Sequence, residues 1–86
     1  MLHKSASELD KLITEEKRRV ATEFFSEAWS NALAEGIEPS IIAESALFTA
    51  LSRLTEAEGE CSASHLVEAL PAQFECGHFL PNRSLQ

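Results

Sequence analysis

The sequence predicts an all-α fold: a small bundle of three main helices, with a long first helix, a buried central helix and a short, Pro-kinked third helix. Three observations carry this. The 86 residues include only three Gly and three Pro, and all but the last Pro sit where helical segments would start, stop or bend. Residues suited to capping stand at those punctuation points. Between them, apolar residues recur at spacings that line helix faces. A hydrophobic content of 44 % without low-complexity tracts marks the chain as globular, and its length fits one helical domain, 1–86, with residues 1–6 and 79–86 as flexible or loosely docked ends.

The first helix should begin near Ser5-Ala6-Ser7-Glu8, where a hydroxyl followed three residues later by Glu has the spacing of a capping box. No Gly or Pro interrupts until Gly36, which suits a left-handed C-terminal cap. Pro39 then opens the second helix, because its missing N–H costs nothing at the first helical position. Ile37 and Ile42 flank that start as a hydrophobic staple. Gly59 should end the second helix near Glu58, and Ser62 or Ser64 should cap the third. Ala63, Leu66, Val67, Leu70 and Phe74 line one face of the third helix. Pro71 should kink it or restart it as a short helix that Gly77 closes. In the tail from His78 to Gln86, only Phe79 and Leu80 suit docking.

Two of these helices point to a second chain. On an ideal wheel, Leu9, Leu12, Ile13 and Val20 cluster on one side of the first helix. Ala21, Phe24, Phe25, Ala28, Trp29, Ala32 and Leu33 occupy a broad arc centred elsewhere. A straight helix of that length spans about 45 Å, against roughly 30 Å for a compact domain of this size. Either the helix breaks around residues 15–19, or its N-terminal half lies against another chain. The second helix carries one charge, Glu44, between Ile41 and Ser52, so it wants burial on most sides. Its small residues Ala43, Ala46 and Ala50 permit close helix–helix approach. The expected assembly is a homodimer, with Leu9, Ile13, Val20, Phe24, Ala43, Ala46, Leu47 and Ala50 at the interface. A further, unidentified protein partner remains compatible with the same surface.

Charge and composition exclude other classes. The formal net charge is −7, which argues against nucleic acid, where affinity rests on Lys and Arg neutralising phosphates. Residues 1–20 carry five bases and four acids, whereas the rest carry two bases and ten acids. The Lys17-Arg18-Arg19 run follows Glu15-Glu16 and reads as a solvated helix face with partners one turn away. No apolar stretch reaches the roughly 18 residues of a membrane span, and the N-terminus has no signal-peptide core. A cytoplasmic protein with two reduced thiols is expected.

The one constellation with metal-ligand chemistry is Cys61, His65, Cys76 and His78, since thiolates and imidazoles are the usual ligands of structural zinc. Cys61 and His65 stand one turn apart. His65 and Cys76 would be about 16 Å apart along a continuous helix, so a site or a Cys61–Cys76 disulfide requires the chain to fold back at Pro71. The Cys76-x-His78 spacing matches no familiar zinc motif. No metal, other cofactor or catalytic residue is therefore assigned, and a small zinc-binding protein is the alternative reading. Cys61 with His65 lacks an orienting third group for nucleophilic chemistry. Glu56, Glu58 and Glu60 read as surface acids without the calcium-loop pattern. No phosphate loop, nucleotide fingerprint or metalloprotease helix occurs. Trp29 and the five Phe residues read as core or interface anchors.

The stretch from Ala34 to Leu51, with Glu35-Gly36-Ile37-Glu38-Pro39 followed by an Ala-rich helix containing Leu47-Phe48 and Ala50-Leu51, resembles a family of short, acidic, helical bacterial proteins without an assigned activity. Glu38 stands where that family's pattern has Asp. The likeness extends over residues 21–77, including Phe24-Phe25 and Leu70-Pro71. It implies a helical, cytoplasmic bacterial protein and supplies no site. The function expected is non-catalytic, exercised through self-association or protein contacts.

Overall fold

The computed structural model describes residues 6–80, and within them the chain is all-α: α1 (Ala6–Ala34), α2 (Pro39–Glu58) and α3 (Glu60–Glu75). It divides inside α2 into two compact units, Met1–Ala43 and Glu44–Gln86.

The first unit holds α1 and the opening turn of α2. α1 is continuous over 29 residues, so no break occurs at residues 15–19. The i, i+3 and i, i+4 pairs of Arg19 with Glu16 and Glu23 span the segment, and nothing in it removes a backbone donor. α1 ends at Gly36 as expected. The Gly36 N–H donates to the Leu33 carbonyl at 2.9 Å and the Ile37 N–H to the Ala32 carbonyl at 3.3 Å, with Gly36 at φ +88°. Two of the carbonyls that a helix leaves orphaned are thus satisfied in a Schellman cap. The Glu38 carbonyl accepts from Ile41 and Ile42, both at 3.0 Å, and starts α2 with Pro39 as its first helical residue. The Ser5 side of the capping box lies outside the described residues, as do the ends 1–5 and 81–86.

In the second unit, α2 passes to α3 through Gly59 alone. Its N–H closes α2 on the Thr55 carbonyl at 2.9 Å, and its own carbonyl accepts from Ala63 at 3.5 Å. Gly59 is thereby the N-cap of α3, and no side chain caps that end. Ser62 and Ser64 therefore lie inside α3. The reason is local: Gly is itself an acceptable N-cap, so the helix begins before either hydroxyl is reached. Pro71 does not restart the chain either; α3 runs through it as one helix. The Gly77 N–H bonds the Phe74 carbonyl at 3.0 Å and the His78 N–H bonds the Gln73 carbonyl at 2.9 Å, a second Schellman cap. Beyond it, the Phe79 ring packs on Phe74 with centroids 4.7 Å apart.

The expected burial of the central helix is not found. α2 contains no buried residue, and among the described residues only Ala63 is buried. The apolar pattern is present, but among the described residues it is left without burial. In the second unit Leu51 and Thr55 of α2 share a groove with Ala63 and Val67 of α3. Leu51, Leu54, Thr55 and Leu70 are half-buried, and this is the nearest the second unit comes to a core.

Candidate interaction surface

α1 carries the largest uncovered apolar side chains. Leu9 is 48 % exposed, Ile13 53 %, Phe24 69 % and Phe25 72 %. Leu12, Trp29 and Leu33 are exposed as well, and Val20 is half-buried. On a helix of 3.6 residues per turn, Leu9, Ile13, Val20 and Phe24 project within about 60° of one another. Phe25 and Trp29 lie on a different face, where with Arg18 and Ala21 they line an open groove. Sequence reading placed Phe25 and Trp29 in the broad apolar arc as core or interface anchors, without counting them among the expected interface residues. The recurrence Arg18, Ala21, Phe25, Trp29 at steps of three and four was the available signal.

On α2, the expected interface residues Ala43, Ala46, Leu47 and Ala50 are all exposed. Their i, i+3, i+4, i+7 spacing gives them one face of the helix. The small side chains leave little between the backbone and any helix laid against it.

Within the basic run, Arg19 has the expected partners one turn away. The Arg19 guanidinium takes Glu16 in a fork, with Nη2 to Oε2 at 2.6 Å and Nε to Oε1 at 3.2 Å, and its Nη1 reaches the Glu23 carboxylate. The hydrogen bond from Arg19 holds the Glu16 carboxyl below its ordinary value. Arg19 is raised in turn, chiefly by Glu16 and less by Glu23. All three side chains are exposed, so these pairs order the helix surface in solvent. Arg53 and Glu56 make a looser pair at 3.5 Å.

The Cys and His residues do not converge. Cys61 and His65 are neighbours near the start of α3, where with Glu60, Ser64 and Glu68 they line a shallow groove. Cys76 is the C-cap of α3 and His78 lies in the turn beyond. With α3 continuous through Pro71, Cys61 and Cys76 are about 22 Å apart along the axis, far beyond the ~7 Å a disulfide tolerates. Both thiols are free and exposed. Among the described residues, no group of three or more His, Cys, Asp or Glu is placed to hold a metal ion.

Among the described residues, no helix is long and apolar enough to cross a membrane. No protein-family model, curated protein or solved structure matches the chain.

Proposed function

We propose that the protein is a non-catalytic, cytoplasmic interaction protein that works as a homodimer, with α1 and the small-residue face of α2 at or near the interface. One observation carries the reading: the apolar side chains that a helical domain normally buries are uncovered along α1, while Ala63 alone is buried among the described residues. Apolar surface of this extent on a small domain marks an interaction site, and oligomerisation is one of the few devices by which so short a chain becomes stable. The separation of Cys61 and His65 from Cys76 and His78 favours this reading over zinc binding within one chain.

Native mass spectrometry of protein purified without a metal-affinity step tests it. The expected spectrum is a dimer with no added mass at micromolar chain concentration. A monomer that also fails to bind an apolar dye overturns the proposal. A zinc-sized mass excess per chain that a chelator removes would replace it with the metal reading.

A further inference from the structure

Within that reading, we propose that the occupant of the Leu9, Ile13, Val20, Phe24 stripe is the same stripe of a second copy, running antiparallel about a two-fold axis between Glu16 and Lys17. The intervals along the stripe are four, seven and four residues, so the pattern is the same read from either end. An antiparallel partner centred there sets Leu9 against Phe24 of the second copy and Ile13 against its Val20, and each contact occurs twice, as a two-fold interface requires.

Side-chain volume favours this direction over a parallel one. Interhelical distance follows the residues at the contact, within about 8–10 Å. A parallel pair would set Phe24 against Phe24 and, one turn away, Val20 against Val20, demanding wide and narrow separations about 6 Å apart along the axis. The antiparallel pair sets the largest residue, Phe24, against Leu9 and the smallest, Val20, against Ile13, so the separations that the layers demand differ less than in the parallel pair.

Like charges sit beside the axis on both flanks. On one, Glu16 comes within about one residue's rise of Glu16 of the second copy, and the Arg19 that each already pairs with at 2.6 Å lies beside them and offsets the repulsion. Across the other flank Lys17 meets Lys17. The stripe with Leu12 offers roughly 400 Å² of apolar side chain per copy, and the stems of the charged residues bring the pair to about 1,000 Å². That is the lower limit of a specific interface, so the dimer should be a weak one in the micromolar range.

The test is disulfide trapping in a Cys61→Ser, Cys76→Ser background, with native mass spectrometry first establishing that each variant still forms the dimer. Residue 17 sits beside the proposed axis, whereas two copies of residue 9 are about 22 Å apart in the antiparallel pair. Lys17→Cys should cross-link at least tenfold faster than Leu9→Cys, and an equimolar mixture of Leu9→Cys and Phe24→Cys chains should give the mixed disulfide. Equal or faster cross-linking of Leu9→Cys overturns the antiparallel assignment. A dimer in which neither position cross-links removes this stripe from the interface and leaves the homodimer standing. A monomer removes both.

Discussion

Gly36 and Gly59 serve different backbone needs, which gives the residue scale its sharpest consequences. Gly36 at φ +88° is the left-handed residue of a Schellman cap, a conformation that costs an L-residue with a Cβ roughly 1–2 kcal/mol. Gly36→Ala should therefore lower unfolding stability by about that amount, and Gly36→Asn by less, because Asn tolerates the region. Urea titration resolves the order. Gly59 at φ 97°, ψ 169° lies in a region reached almost solely by Gly, and no atom beyond its chain neighbours lies within 4 Å of the Cβ that a substitution would add. The penalty of Gly59→Ala is thus a backbone penalty of about 1–3 kcal/mol, which trimming neighbouring side chains cannot relieve. In the sequence both positions read as helix ends. That Gly59 also begins the next helix was not legible, because Ser62 and Ser64 offered better-known caps and single-residue connections leave no composition signal.

At the scale of elements, α3 carries its own handicap. Pro71 removes one helical N–H and crowds the carbonyl four residues back, that of Val67, at a cost of about 3 kcal/mol, yet α3 runs on to Glu75. Pro71→Ala should raise the melting temperature and the helical circular dichroism signal together; a fall in both would mean that Pro71 has a packing role. The continuity of α3, like that of α1, was a point on which the sequence was ambiguous, since local propensity favours a break at Pro71 and only the face shared by Ala63, Leu70 and Phe74 argues for persistence. α1 has a different dependence. The Glu16 carboxyl is held below its ordinary value by Arg19, so its stabilising contribution is present above the unfolded carboxylate's titration and is lost as pH falls through the lowered folded value. Arg19, raised by Glu16, contributes below the unfolded guanidinium's titration and loses that contribution only at pH beyond the guanidinium range. The helical signal of the wild type should therefore fall more than that of Glu16→Gln as pH drops below about 4. Added salt should shrink the difference, because the pair is exposed.

For the whole molecule, helix limits and apolar faces were readable because capping and periodicity are local properties, whereas burial is not. The small and apolar residues from Ile41 to Ser52 justified expecting a covered α2; α2 has no buried residue, because composition states what a helix needs and not which chain provides it. If a second copy provides it, folding and association are linked, and stability depends on protein concentration. A tenfold rise in concentration adds about 1.4 kcal/mol per dimer, which for two chains of this length shifts the melting temperature by roughly 3–5 °C. Phe24→Asp, placing a charge on the 69 % exposed ring position of the stripe, should abolish that dependence as well as the dimer mass. Salt supplies the opposite control. Two copies with a formal charge of −7 each repel, and screening over about 8–10 Å at physiological ionic strength weakens that repulsion more than the apolar contact. Association should therefore tighten between low and moderate salt, as sedimentation at several ionic strengths would read. A melting temperature that ignores concentration and falls as salt rises would assign the cohesion of the molecule to charge pairs within the chain, such as Arg19 with Glu16, rather than to the uncovered stripe of α1.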